Sequence, residues 1–178
     1  FTFGPKSENT PIWSPNGSEI AYQEQNPTNP NDSFVMARSA SGTKEAQALI
    51  SSQGSVLPTA WTRDRKSIIA SKQNQSGQWD LVALDLDESG ATVRPLLARS
   101  ESDSMALCSP DGRWLAWYSD ESGRNEVWAS PFPGPGGKWQ LTTTGVQMSG
   151  SAWGDHEVIF SQDDGGIYAI PVRHSGGT

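Results

Sequence analysis

The chain has 178 residues, of which 34% are hydrophobic, and a formal net charge of −7 at pH 7. A chain of this length can form one domain that buries roughly 70% of its unfolded surface. The acidic balance disfavours a nucleic-acid partner, since phosphate contacts need a basic stripe that is absent, and no apolar run approaches the ~18 residues of a membrane span. A single cysteine, Cys108, leaves no internal disulfide.

In chain order, Phe1-Thr2-Phe3 reads as a short strand, residues 1–4, whose three companion strands are not upstream of it. The chain opens without Met or a charged-then-apolar leader, so it is expected to be either a processed form or an excised segment, with any signal peptide out of view. A first unit, 10–52, carries Trp13, the turn Ser14-Pro15-Asn16-Gly17, and apolar runs at Ile20-Ala21-Tyr22, Phe34-Val35-Met36 and Leu49-Ile50. A second, 55–99, repeats the order with Trp61, Arg63-Asp64-Arg65, Ile68-Ile69-Ala70, Leu81-Val82-Ala83 and Leu96-Leu97. The third, 103–144, has Cys108, Ser109-Pro110-Asp111-Gly112, Leu115-Ala116-Trp117, Val127-Trp128-Ala129 and Leu141-Thr142. The fourth, 148–174, has Trp153, a shorter turn at Gly154-Asp155-His156, Val158-Ile159-Phe160 and Ile167-Tyr168-Ala169, with no fourth run of its own.

Trp13, Trp61, Cys108 and Trp153 thus recur at intervals of 48, 47 and 45 residues. A fixed period in this range marks a repeat architecture. The runs are short and rich in β-branched and aromatic residues, and Gly, Pro, Asn, Asp and Ser punctuate them as in hairpin-joined strands. Leu49, Leu96 and Leu141 each precede the next opening residue by 12 positions, and Phe1 precedes Trp13 by the same 12. The expected fold is all-β: four repeats of four antiparallel strands, reading as β-propeller blades, in a partial ring or one completed by a second chain. The strand at 1–4 is expected to complete the blade built from 149–172. The four opening residues are expected at equivalent buried positions, with Trp79 and Trp139 as the exposed aromatics.

Trp13-Ser-Pro-Asn-Gly-Ser-Glu-Ile-Ala-Tyr22 and Ser109-Pro-Asp-Gly-Arg-Trp-Leu-Ala-Trp117 resemble the repeats of TolB-like, WD-repeat-like bacterial β-propellers, over nearly the whole chain. Ser119-Asp-Glu-Ser-Gly-Arg-Asn-Glu-Val-Trp128, followed by Pro131-Phe-Pro-Gly-Pro-Gly-Gly-Lys-Trp139, is similar to propellers C-terminal to bacterial eukaryotic-like serine/threonine kinases. The resemblance implies a periplasmic or otherwise extracytoplasmic protein-binding module. Similar repeats also gate prolyl-oligopeptidase-like peptidases.

The Ser-Pro-Asp-Gly motif has a structural explanation: Pro presets φ, Asp or Asn bonds its own backbone, and Gly accepts φ > 0. No chemistry is assigned to Ser109 or Asp111, and no catalytic residues are expected. His156 and His174 lie near no nucleophile in sequence, and nucleophile-elbow, phosphate-loop and metalloprotease motifs are missing. Asp85-Leu86-Asp87-Glu88-Ser89-Gly90 starts like a calcium loop but would place Leu96 where the bidentate Glu belongs. Ser161 to Tyr168 weakly resembles the Asp-box of sialidase propellers and also falls where a hairpin is due. Neither a metal site nor a cofactor is expected.

In a four-stranded meander, the loops before the first strand and after the second share one rim. That rim receives Glu8, Glu24, Asp32, Glu101, Asp103, Asp120, Glu121, Glu126, Asp163 and Asp164 against Lys6, Lys72, Arg99 and Arg124, so it holds most of the net charge. The expected function is therefore a non-catalytic propeller, a protein- or ligand-binding module that presents an acidic loop face to a protein, a peptide or a cation through Glu101, Asp103, Asp120, Glu121, Asp163 and Asp164. Arg124 is expected to be an internal counter-charge. The alternative is the gating or sensor propeller of a larger enzyme whose catalytic domain is absent here. A homodimer could complete the ring.

Overall fold

In the computed structural model, residues 6–172 are described except 98, 135 and 163, and the side chains of 148 and 149 are left aside. The expected strand at 1–4 lies outside the described residues. Every described element is a β-strand. The first sheet is the meander β1 (Glu8–Trp13), β2 (Glu19–Gln25), β3 (Asp32–Ser39) and β4 (Gln47–Gln53). The second is β5 (Val56–Trp61), β6 (Ser67–Gln73), β7 (Trp79–Asp87) and β8 (Gly90–Leu97). The third is β9 (Asp103–Cys108), β10 (Trp114–Ser119), β11 (Glu126–Pro131) and β12 (Trp139–Gln140). The fourth has three strands, β13 (Val146–Trp153), β14 (Glu157–Gln162) and β15 (Ile167–Pro171). These are four β-propeller blades. By their internal contacts, residues 1–106 and 107–178 form two compact units.

In the first three blades the opening strand ends on its opening residue, and the turn after it is a hydrogen-bonded staple built from the motif. In the first blade, Ser14 Oγ donates to Asn16 Oδ1 at 3.0 Å and accepts from the Glu19 amide at 2.9 Å. In the third, Ser109 Oγ donates to Asp111 Oδ1 at 2.6 Å and accepts from the Trp114 amide at 3.0 Å. The second blade has no Pro-Asp-Gly but makes the same staple from Thr62 and Asp64, at 2.8 and 3.0 Å. Its left-handed slot, filled by Gly17 (φ 69°) and Gly112 (φ 74°) elsewhere, is taken by Arg65 at φ 62°. A Cβ in that region is strained.

The first strands share a feature that the sequence pattern hides. Pairing slips between Asn9 and Ile12, Pro58 and Ala60, and Gln147 and Ala152. Thr10 (φ 48°), Met105 (φ 52°) and Gly150 (φ 71°) stand at one repeat position, three before the opening residue. An inserted residue of this kind bends a strand and adds twist.

In the unit 1–106, Ala21, Val35, Val56, Trp61, Ile68, Ala70, Val82 and Leu84 form one core spanning the first two blades. Burial of each large side chain contributes about 1.5–3 kcal/mol. Polar ties fix the blades in register: the Val56 amide donates to Ser33 Oγ at 2.9 Å, and Gln23 Nε2 donates to Ser55 Oγ at 2.8 Å. The equal burial expected of the opening residues is corrected here. Trp61 is buried against the preceding blade at 8% exposure, whereas Trp13, with no described blade before it, is 61% exposed. Cys108 and Trp153 are half-buried. Trp139 is exposed, as expected, but Trp79 is half-buried, with its amide donating to Ser102 Oγ.

Candidate binding surface

The carboxylates of the acidic rim are placed by strand ends and hairpin tips. Arg99, Glu101 and Asp103 alternate along an approach to β9, so their side chains can meet on one side of the chain. Asp103 is fully buried, and the Arg99 guanidinium grips it with Nη2 at 3.0 and 2.9 Å and Nε at 3.2 Å. Arg99 Nε also lies 3.9 Å from Glu101 Oε2, while Ser100 Oγ donates to Glu101 Oε1 at 2.7 Å. The sequence places Asp103 on a rim; tertiary burial makes it the inner half of a forked ion pair.

Asp120 and Glu121 lie in the turn between β10 and β11, where the Gly123 amide donates to the Asp120 carbonyl at 2.8 Å. Asp120 is exposed. Glu121 is ion-paired with Lys138, whose ammonium also stands 4.8 Å from the centre of the Trp128 ring. Asp163 lies outside the described residues. Asp164 is exposed in the β14–β15 turn, accepting from Tyr168 Oη at 2.6 Å and from the Gly166 amide at 2.8 Å. Those two donors hold its carboxyl below the usual carboxylate range, and the same contact raises the Tyr168 hydroxyl. Asp164 is thus tied into its hairpin.

Arg124 is the internal counter-charge expected of it, donating from Nε to Glu126 Oε1 at 2.8 Å. Glu126, expected on the rim, is fully buried. It also accepts from the Gly145 amide at 3.0 Å and from the Thr142 hydroxyl. A buried carboxylate persists when its lone pairs are met by charged and amide donors. Partners such as Lys138 for Glu121 and Tyr168 for Asp164 had no spacing signal, because hairpin pairing brings them together.

The candidate metal loops resolve into turns. Asp87 Oδ1 accepts from the Ser89 amide and hydroxyl and from the Gly90 amide, at 2.7, 2.6 and 3.0 Å, closing the β7–β8 hairpin. Asp85 points instead to Arg94 and Ser67. His156 is exposed in the β13–β14 turn, and His174 lies outside the described residues. Burial pushes the Cys108 thiol up to about 12.

No protein-family model matches the chain. Among solved structures, TolB from Acinetobacter baumannii is 18% identical, with a TM-score of 0.61 over 94% of this chain and 44% of its own. A TolB-type protein from Agrobacterium tumefaciens matches at 16% identity and a TM-score of 0.61, over 88% of this chain and 70% of its own. The fold is that of TolB-type β-propeller blades. The same blades occur in enzymes: a puromycin-hydrolyzing peptidase of Mycobacterium tuberculosis matches at 16% identity and a TM-score of 0.71, over 98% of this chain and 30% of its own. The chain spans less than half the length of the Acinetobacter TolB. Among the described residues no helix is long and apolar enough to cross a membrane.

Proposed function

We propose that these TolB-type blades act as a non-catalytic, extracytoplasmic binding module that presents acidic hairpin tips to a cationic segment of a protein partner. The observation that carries this reading is the division of polar chemistry between turn and tip. The hydroxyls of Ser14, Thr62 and Ser109 are consumed in turn staples, and the Cys108 thiol stays protonated near neutral pH. The carboxylates of Asp120 and Asp164 are exposed at turns, the second while bonded within its hairpin, where a partner approaching the rim would meet them. Arg99 and Lys138 pair with Glu101 and Glu121, and Tyr168 bonds Asp164; with every Lys and Arg counted the chain still carries −7.

The test is calorimetry with an octalysine peptide on the native chain and on the Asp120→Lys/Glu121→Lys variant, at low and at physiological salt. The native chain should bind, less tightly at higher salt as screening shortens to about 8 Å. Unchanged affinity in the variant would refute the assignment of Asp120 and Glu121 to the binding face. A second reading, the gating propeller of a larger enzyme, is favoured by the peptidase match. The gene flanking this segment would encode a hydrolase or kinase domain in that case.

A further inference from the structure

Between the first two blades, both within the unit 1–106, a groove of about 570 Å³ is lined by an unusual set of groups. Carboxamides dominate it: Gln25, Asn31, Gln53, Gln73, Asn74 and Gln75 contribute to its walls, and among the described residues Lys72 is its one cation. No described carboxylate lines it, although the chain carries 20 acidic residues. The nearby acids are occupied, Asp32 with the Gly54 amide and Asn29, and Asp80, which faces Lys72 across β6 and β7, with Asn74.

Asn74 is taken up by Asp80, Ser76 and Gln78; the other carboxamides fall into two groups. Gln25 Nε2 donates to the Pro30 carbonyl at 2.9 Å and Gln73 Nε2 to the Gly77 carbonyl at 3.0 Å. Those bonds hold both side chains in place and leave each Oε1 as an acceptor. Among the described residues, the side chains of Asn31, Gln53, Gln75 and Lys72 make no hydrogen bond or ion pair. A carboxamide offers one acceptor and a paired donor, the complement of a peptide group, and does so without charge. A row of them reads main chain and tolerates any side chain.

We propose that this groove binds an extended peptide through its main chain, with Lys72 taking a carboxylate of the peptide. Among its described lining residues the groove has no aromatic side chain to stack on a sugar ring, which favours a peptide over a saccharide. It lies within the unit 1–106, whereas Asp120, Glu121 and Asp164 belong to the unit 107–178, and it selects the opposite charge.

The test is fluorescence polarisation with labelled Ala-Gly-Ala-Ala-Gly-Ala, as the free C-terminal acid and as the amide. The acid should bind saturably and about tenfold more tightly than the amide, the difference a charge-assisted bond supplies. Lys72→Ala should abolish that difference, and Gln53→Ala/Gln75→Ala should weaken both peptides at least about fivefold. Gln53 and Gln75 are exposed, so the thermal melt should stay that of the native chain. No saturable binding, or full affinity in the Gln53/Gln75 variant, overturns the proposal. So does binding of cellohexaose in place of the peptide. The Asp120→Lys/Glu121→Lys variant should bind these probes normally, which separates failure here from failure of the acidic face.

Discussion

Trp13 and Trp61 hold the same place in successive repeats, and the blades give them different work. Trp61 is 8% exposed within the core that joins the first two blades, and Trp13 is 61% exposed. A Trp side chain offers up to about 250 Å² for burial, so at about 25 cal/mol per Å² Trp61 gains roughly 6 kcal/mol and Trp13 roughly 2.5, both upper bounds against a compact unfolded chain. Truncation in a packed core costs about 3–5 kcal/mol. Trp61→Ala is therefore expected to lose about 4 kcal/mol and Trp13→Ala about 1. Both residues lie in the unit 1–106, so the same unfolding transition reports on each. Urea titration followed by far-UV circular dichroism measures the two losses without relying on the indole that is removed. Equal losses, or a greater loss at Trp13, would refute the idea that blade-to-blade packing, and not repeat position, sets the energy.

The strained slot of the second blade gives another expectation: in a Glu19→Gln background, which removes the exposed ion pair to Arg65, Arg65→Gly should raise stability by about 1 kcal/mol in urea, because φ 62° is costly for a side chain. Acid should weaken the fold. The Lys66 amide and the Thr62 hydroxyl hold the Asp64 carboxyl below its ordinary range, so its contribution is fully present above the unfolded value of about 3.9 and is lost as pH falls through the lower folded value; urea midpoints from pH 7 to pH 2 should fall less below about pH 4 in Asp64→Asn than in the native chain. With burial pushing its thiol up to about 12, Cys108 should react with Ellman's reagent at pH 8 at least about 100-fold more slowly than glutathione, and at the ordinary rate in urea.

The period of the opening residues, the staple turns and the succession of four short runs were legible in the sequence because they depend on local chemistry. Ser109, Asp111 and Gly112 specify their turn whatever packs above it, and Thr62 with Asp64 shows that the hydroxyl and carboxylate suffice when the glycine is missing. The four-stranded propeller blade follows from that repetition. Burial does not, because it depends on which sheet lies against which. Only the tertiary structure separates Trp13 from Trp61. The acidic residues show the same limit. A count of charges on loops treats Asp103, Glu126 and Asp120 alike, yet Arg99 encloses the first, Arg124, Thr142 and Gly145 satisfy the second, and the third is exposed. Sequence alone determined where the chain turns, since turn geometry resides in a few consecutive residues. Tertiary structure decided which polar groups face solvent, because burial and ion pairing are set by residues distant in the chain, and the carboxamide groove between two blades had no signature before they packed.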